Sequence, residues 1–253
     1  MRMSIKKRFN DKWVFTKQPL GQTLTEIHSD TIAWEPVDLP HDWLIYNVKN
    51  LYETSEGWYK RILNKSSLLE DQCYSLRFEG VYMNSTLYIN DEMVGEWKYG
   101  YSTFEFDITN YLTKEENEIL VKVVHEAPNS RWYSGAGIYR SVWLKSYPNV
   151  HIIPDGIYVT PTKASDHWMV SIHTELTNHI TTTSTDYLLS QSIYDKNVDG
   201  EPVLVATKET SVTYPNNSIV MQELCISQPK LWDLESPHLY LVKTELIHEG
   251  III

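Results

Sequence analysis

Polar and apolar residues alternate through the middle of the chain, and this alternation predicts β-strands. It is clear in residues 75–79, 86–89, 93–95, 102–108 and 139–145. Residues 118–124 are mostly apolar, which predicts a more fully buried strand. Asn90 and Asp91 separate two of these segments and predict a hairpin, because both residue types tolerate the positive φ of tight turns. Short strands separated by turn residues favour a β-sandwich, and almost nothing in the chain predicts a helix.

The composition changes near Tyr147-Pro148-Asn149, where we place a domain boundary. Residues 151–253 are rich in Thr and Ser and poor in Gly. Strands are predicted there at residues 155–161, 167–178, 185–195, 202–213, 217–227 and 238–248. Six or seven antiparallel strands in about 100 residues is the size of an immunoglobulin-like sandwich. Gly250 then predicts a turn, and the isoleucines that follow it predict the start of a seventh strand. The sequence thus predicts two all-β domains, residues 1–148 and 150–253, the second cut short in its last strand.

The charge of the chain disfavours two classes of partner. There are 33 acidic and 22 basic residues, which gives a formal net charge of −11. This balance favours neither a nucleic acid nor an anionic membrane as a partner, because both need basic surface. No segment approaches the roughly 18 apolar residues of a membrane span. No apolar stretch follows the basic N-terminus, as a secretory signal would require, so we expect either a cytoplasmic protein or one whose signal has been removed.

The counts of aromatic residues, cysteines and histidines bear on sugar binding, disulfide bonds and metal binding. The chain has 9 Trp and 17 Tyr but 5 Phe. Trp and Tyr suit both a β-sheet core and stacking on sugar rings. Cys73 and Cys225 are too few for a disulfide framework and are predicted to be free thiols, although a single bridge between them stays open. The spacing of the nine His, such as His173 and His179, does not predict a metal site, and we expect no cofactor.

Five ordered segments carry a more specific signal. They are LPHDW at residues 39–43, EGWYKR at 56–61, FEGVYMNS at 78–85 followed by YINDEMVG at 88–95, GYSTFEFDIT at 100–109 and SRWYSGAGIYR at 130–140. In this order and spacing they resemble the N-terminal region of glycoside hydrolase family 2, especially its bacterial β-galactosidases. Residues 229–240 resemble a pattern late in the second domain of that family, so the resemblance covers essentially the whole chain.

The resemblance implies a jelly-roll domain of the sugar-binding type, then an immunoglobulin-like domain, then a (β/α)₈ barrel with two catalytic Glu residues. It implies hydrolysis of terminal β-galactosides with retention, and β-glucuronidase and β-mannosidase are sister specificities. The 253 residues end before a barrel could begin. We therefore expect a non-catalytic N-terminal fragment that is inactive alone, acts on carbohydrate only in the full-length enzyme, and belongs to a homo-oligomer.

Retaining hydrolysis needs two carboxylates about 5 Å apart. Asn117-Glu118 matches the Asn-Glu pair of the family barrel in residue type, but it is predicted to lie on a solvated turn before a strand. Asp38 and Asp42 flank Pro40 and form a second candidate pair, although a structural role for Asp42 fits as well. The sequence predicts no complete catalytic pair.

Substrate contacts are predicted at Asn129, Arg131, Trp132 and Asp42. By the resemblance, residues 129–133 match a jelly-roll loop that reaches the rim of the barrel's active site. Arg131 can donate paired hydrogen bonds to vicinal hydroxyls, and Asn129 can both donate and accept. Asp42 can accept from sugar hydroxyls, and either Trp132 or Tyr133 can stack on a sugar face.

Alternatives remain open from the residues alone, both for the roles of Arg131, Asp42 and Trp132 and for the chain as a whole. In the first, Arg131 pairs with Asp42 to hold two loops together while Trp132 fills the core. In the second, the jelly roll and its aromatic residues form a stand-alone carbohydrate-binding module, or else a purely structural or assembly unit. In each case we expect Gly135 and Gly137 to permit the tight path of their loop.

Overall fold

The computed structural model of the protein describes residues 4–179, 186–196, 201–213 and 218–253. Residues 185 and 217, at the starts of two predicted strands, lie outside these ranges. The chain divides into two units, Ile5–Ser146 and Tyr147–Ile253, with Ser4 assigned to the second. Among the described residues, no helix is both long and apolar enough to cross a membrane.

The first unit is a sandwich of two antiparallel sheets. Its strands are β1 (Ile5–Arg8), β2 (Trp13–Gln18), β3 (Glu35–Val37), β4 (Ser55–Asn64), β5 (Gln72–Phe78), β6 (Ser85–Ile89), β7 (Glu92–Trp97), β8 (Phe104–Asp107), β9 (Glu116–His125) and β10 (Val142–Pro148). One sheet has the order β1-β10-β5-β8 and the other β3-β2-β4-β9-β6-β7. The all-β, jelly-roll fold class predicted for this part of the chain is confirmed.

The alternation of side chains along each strand builds the core of this sandwich. In β9, Ile119, Val121 and Val123 point inward and are buried. Leu76 and Phe78 of β5 reach the same core from the opposite sheet. The hairpin between β6 and β7 also forms as predicted, with φ of 53° at Asn90 and 71° at Asp91.

A short helix covers part of the outer face of the six-stranded sheet. Helix α1 (Leu24–Ile27) begins with a capping box, in which the Glu26 amide donates to the Thr23 hydroxyl and the Thr23 amide donates to the Glu26 carboxylate. Ile27 packs on Trp58 and Leu120, and all three are buried. The sequence pattern missed this helix because one helical turn is too short to show periodicity.

The second unit is also a sandwich of two antiparallel sheets. Its strands are β11 (Val150–Lys163), β12 (His167–Asn178), β13 (Asp186–Asp195), β14 (Val203–Thr213), β15 (Ser218–Ser227), β16 (Tyr240–His248) and β17 (Ile251–Ile252). The sheet orders are β11-β12-β15 and β14-β13-β16-β17. β11 starts five residues before its prediction, because a register shift between Ile152 and Ile157 interrupts the alternation there.

Two short 3₁₀ helices, Lys65–Ser67 and Thr109–Tyr111, complete the elements of the described chain. Both cysteines are free thiols, as predicted. Cys73 is buried in β5, and burial raises the pKa of its thiol to about 11. Cys225 is exposed on β15. A thiol with so high a pKa is a poor nucleophile at neutral pH, so Cys73 is a packing residue.

Candidate functional site

Two loops of the first unit are fastened to each other at the end of β9. We call them loop 38–54 and loop 126–135. The Thr54 hydroxyl donates to the Ala127 carbonyl at 3.3 Å and accepts from the Ala127 amide at 3.0 Å. The His125 Nδ1 donates to the Glu53 carbonyl at 2.6 Å. These bonds fix the start of loop 126–135 against the end of loop 38–54.

Asp42 fastens the two loops at a second point. Its Oδ1 accepts from the Leu44 amide and from the Ala136 amide, each at 3.0 Å. Its Oδ2 accepts from the Tyr133 hydroxyl. Burial and the bond to the Asp42 carboxylate together raise the pKa of Tyr133 well above its ordinary value. Both carboxylate oxygens of Asp42 therefore have protein partners, and the loops are held by Tyr133 rather than by Arg131.

The two glycines of this loop have the conformations that its tight path requires. Gly135 has a φ of +76°, and a Cβ there would lie 2.7 Å from Asp42 Oδ2. Gly137 has a φ of +126°, and a Cβ there would collide with the Tyr59 hydroxyl and the His41 carbonyl. A side chain at either position would strain the backbone and displace the anchors, so the predicted role of both glycines is confirmed.

The tip of loop 126–135 points its polar and aromatic side chains to solvent. Asn129 and Arg131 are exposed, and Trp132 is 65% exposed, so Trp132 does not fill the core. Asn129 Nδ2 donates to the Glu126 carbonyl at 2.5 Å, and Asn129 Oδ1 accepts from the Ser134 hydroxyl at 3.3 Å. In the described part of the chain, the Arg131 guanidinium has no carboxylate partner. The tip is ordered by its own hydrogen bonds, while the side chains of Arg131 and Trp132 stay exposed.

A cluster of tyrosines lies beside this tip. Tyr101 interacts with the Trp132 side chain through its hydroxyl, and burial raises the pKa of Tyr101. The Tyr101 ring also packs edge-on against Tyr82, at 5.1 Å between ring centres, and against Tyr99, at 5.9 Å. Tyr99 and Tyr101 are both exposed. The loop tip and these rings together offer flat apolar faces next to a guanidinium and an amide, the combination that sugars bind.

The candidate catalytic carboxylates have other roles in the structure. Asn117 is not on a solvated turn, as predicted, but is buried in β9, where its amide bonds the Leu63 and Lys114 carbonyls. The prediction failed because β9 starts at Glu116, two residues before the predicted strand at 118–124, and so includes Asn117. Asp38 lines a separate groove with His41 and Trp43. The Asp42 carboxylate is occupied by the donors described above.

The sequence is similar to known proteins along nearly its whole length. Residues 27–148 match the family described as Glycosyl hydrolases family 2, sugar binding domain, and residues 150–253 match Glycosyl hydrolases family 2. A β-galactosidase of Bacteroides ovatus is 33% identical over 85% of this chain. The protein belongs to glycoside hydrolase family 2. A putative β-glucuronidase of Formosa agariphila is 28% identical over 98% of the chain.

Solved structures of this family have the same fold. A putative β-galactosidase from Bacteroides fragilis superposes with a TM-score of 0.83 and 25% identity, over 100% of this chain and 40% of that one. A β-glucuronidase of Bacteroides uniformis superposes with a TM-score of 0.81 and 27% identity, over 99% of this chain and 31% of that one. The chain spans 26% of the Bacteroides ovatus relative and 30% of the Formosa agariphila relative. It therefore matches less than a third of the length of either relative, through the two family 2 domains named above.

Sequence reasoning found the exposed residues of the loop and the anchor Asp42, but not the other groups that hold the loop in place. Thr54 and His125 carry no motif signal, because their bonds are to backbone atoms of segments distant in sequence. Tyr133 was considered as a platform for a sugar, and the structure shows its hydroxyl bonded to Asp42. Residue type alone does not reveal this bond, because Asp42 and Tyr133 are 91 residues apart in the sequence.

Proposed function

We propose that this chain is the non-catalytic N-terminal part of a retaining β-galactosidase-like glycosidase. In this role, loop 126–135 contributes substrate contacts at the rim of an active site that a (β/α)₈ barrel completes. The observation that carries the proposal is the anchored loop tip with exposed Asn129, Arg131 and Trp132. Rigid anchors lower the entropic cost of ordering these groups on a sugar.

Each residue of the proposed site has a distinct task. Arg131 and Asn129 hydrogen-bond sugar hydroxyls, and Trp132 supplies a face for stacking. The Asp42 carboxylate already holds both loops. Its main contribution to sugar binding is therefore indirect, because it fixes the position of the loop tip. Similarity to both β-galactosidases and β-glucuronidases supports an exo-acting β-glycosidase, and of these we propose β-galactosides as the substrate.

Two measurements test this proposal. The first is hydrolysis of a panel of aryl β-glycosides by the purified chain, with the galactoside first. We expect no turnover, because two carboxylates at the required separation are supplied by the barrel. Galactosidase activity that survives repurification and disappears in Arg131→Ala would show that these residues carry the chemistry themselves, and would overturn the proposal.

The second measurement is an NMR titration of indole N–H signals with galactose. Because the site is incomplete, we expect weak shifts confined to Trp132, and smaller shifts in Arg131→Ala. Trp232 is similarly exposed, at 57%, and serves as the matched control in the second unit. Equal shifts at Trp132 and Trp232 would mean that the loop tip does not select for sugar.

A groove of about 1050 Å³ in the first unit supports a second candidate function, a stand-alone carbohydrate-binding module. Its lining combines the polar residues Lys17, Gln18 and Glu35 with the aromatic Trp43 and Tyr46. Such a module is expected to bind sugar without a barrel. Saturable binding of lactose with a dissociation constant below about a millimolar, abolished by Tyr46→Ala but not by Trp132→Ala, would favour this alternative.

A further inference from the structure

Three potential metal ligands from distant parts of the chain meet on the outer face of the six-stranded sheet. They are His28, Asp91 and Glu118, and one ligand atom of each lies within 4.8 Å of the others. His28 Nε2 is 2.6 Å from Asp91 Oδ1, and His28 Nδ1 is 3.6 Å from Glu118 Oε1. One imidazole and two carboxylates form the donor set that proteins use for Zn²⁺ and related first-row cations.

The fold holds each of the three residues in place. His28 directly follows α1, which is fixed to the sheet by the buried contact of Ile27 with Trp58. Asp91 lies in the β6–β7 turn, and that turn is fastened to β9 through Asn90. The Asn90 amide donates to the Glu118 carbonyl at 2.9 Å, and the Glu118 amide donates to Asn90 Oδ1 at 3.2 Å.

The charge and exposure of the cluster suit a bound dication. The two carboxylates bring two negative charges to one imidazole, against the single competing charge of Lys60, whose Nζ lies 3.9 Å from Glu118 Oε2, the oxygen that does not face His28. Lys60 also rests over the Trp34 ring, at 4.2 Å. The Asp91 side chain is 56% exposed, so water has access to complete the coordination sphere.

Asp91 and Glu118 face different nitrogens of the His28 ring, so one carboxylate must move to the other's side before all three residues can bind one ion. Zn–N and Zn–O bonds of about 2.0–2.2 Å place tetrahedral ligands about 3.3 Å apart. The exposed Asp91 side chain can supply this movement by rotating about its own bonds, while the backbone of the site stays fixed.

We propose that His28, Asp91 and Glu118 form a structural site for a first-row divalent cation. Glu118 lies near the start of β9, whereas His125 at its end borders loop 126–135. Seven residues of strand separate them by about 23 Å, so the cation takes no part in sugar contact. It joins α1, the β6–β7 hairpin and β9, and it stabilises the outer face of the jelly roll.

The test uses the 253-residue chain after removal of metal with a chelator. Zn²⁺ binding is measured by calorimetry, and Co²⁺ binding by the visible absorption of the ion. We expect one equivalent of each ion to bind the first unit and to raise the unfolding temperature, because a ligand that binds only the native state stabilises it. Asp91→Asn and Glu118→Gln keep side-chain shape but remove an anionic ligand, and we expect each to weaken binding about tenfold or more.

His167→Ala is the matched control. It removes a His-Asp ion pair that is not part of the three-ligand cluster. The His167 Nδ1 to Asp166 Oδ1 distance of 2.7 Å is close to the 2.6 Å between His28 and Asp91. We expect this variant to bind metal as the unaltered chain does. Circular dichroism confirms that each variant is folded. The proposal is overturned if the unaltered chain binds no metal at millimolar concentration, or if binding persists in Asp91→Asn and Glu118→Gln, because the three groups are then only an ion cluster.

Discussion

Glu56 is a buried carboxylate whose partners are all supplied by the fold. Its Oε2 accepts from the Gly21 amide at 3.0 Å and lies 3.1 Å from Lys122 Nζ, and its Oε1 accepts from Trp58 Nε1 at 2.6 Å. It lies in the EGWYKR segment on which the family resemblance partly rests. Its position on the outer face of β4 shows that this part of the motif serves stability rather than sugar contact.

Replacing Glu56 by Ala is expected to lower the free energy of unfolding by about 3 kcal/mol, because Lys122 keeps its charge without a buried partner. Urea unfolding monitored by fluorescence measures this change. Lys17→Ala removes the more exposed Lys17–Glu53 pair, whose ions are 2.8 Å apart, and is expected to cost less than about 1 kcal/mol. Equal effects of the two variants would contradict the role assigned to Glu56.

His41 gives the first unit a predictable response to acid. Its ring is buried, with Nδ1 2.8 Å from the Tyr59 hydroxyl. Burial lowers the pKa of His41 below 6.5, and the nearby charges of Asp42 and Glu35 offset part of this effect. The native state therefore binds the His41 proton more weakly than the unfolded chain does. The contribution of neutral His41 to the free energy of unfolding is complete above pH 6.5 and is lost as the pH falls from there through the native pKa.

The measurement is the free energy of unfolding between pH 5 and pH 8, for the unaltered chain and for His41→Gln. We expect the stability of the unaltered chain to fall on the acid side, and His41→Gln to reduce that slope even if it lowers stability at every pH. A slope that is the same in both proteins would assign the acid response to other groups.

At the scale of elements, the position of loop 126–135 depends on the hydrogen bond from the Tyr133 hydroxyl to Asp42. Tyr133→Phe leaves Asp42 Oδ2 without its donor. Because hydrogen bonds to charged groups contribute about 1.5–3 kcal/mol, we expect a loss of stability of this size. We also expect faster proteolysis within the loop and weaker sugar-induced shifts at Trp132. Tyr158→Phe, at an exposed position of β11, is the control and is expected to change neither property.

The strands that the sequence predicted well are those whose two faces differ. In β12 and β15 more buried and less buried residues alternate, so the sequence pattern marks both strands and places their ends within one residue. The strand predicted at residues 139–145 lies instead at Val142–Pro148. Tyr139 precedes this strand and donates a hydrogen bond from its hydroxyl to the Gly100 carbonyl. Its ring contributed to the alternating pattern although the residue is not part of a strand.

The site was less predictable than the fold, because its geometry is set by pairs that are distant in sequence. Residue type and resemblance indicated Arg131 and Asn129, which are exposed as a binding role requires. His28, Asp91 and Glu118 were not predicted, since no motif spacing links positions separated by 63 and 27 residues. Only the packing of α1 and of the hairpin on β9 brings them together.

At the scale of the whole molecule, the second unit has an open sheet edge. β17 pairs with Ile247 and His248 of β16, and the Ile253 amide donates to the Leu246 carbonyl. Among the described residues, no strand pairs with the outer edge of β16 over residues 240–245. An edge of this kind, flanked by exposed apolar side chains such as Leu241 and Ile251, is a template for strand pairing between molecules.

We therefore expect the chain to self-associate through residues 238–253 as its concentration rises, which light scattering and sedimentation equilibrium measure. Leu241→Lys places a charge on this edge and is expected to shift the equilibrium toward monomer, because charged side chains oppose edge pairing. Ile62→Lys makes a similar change at an exposed position of β4, a strand paired on both sides, and is expected to leave association unaltered. A chain that stays monomeric at high concentration, or equal effects of the two variants, would show that association does not use the edge of β16.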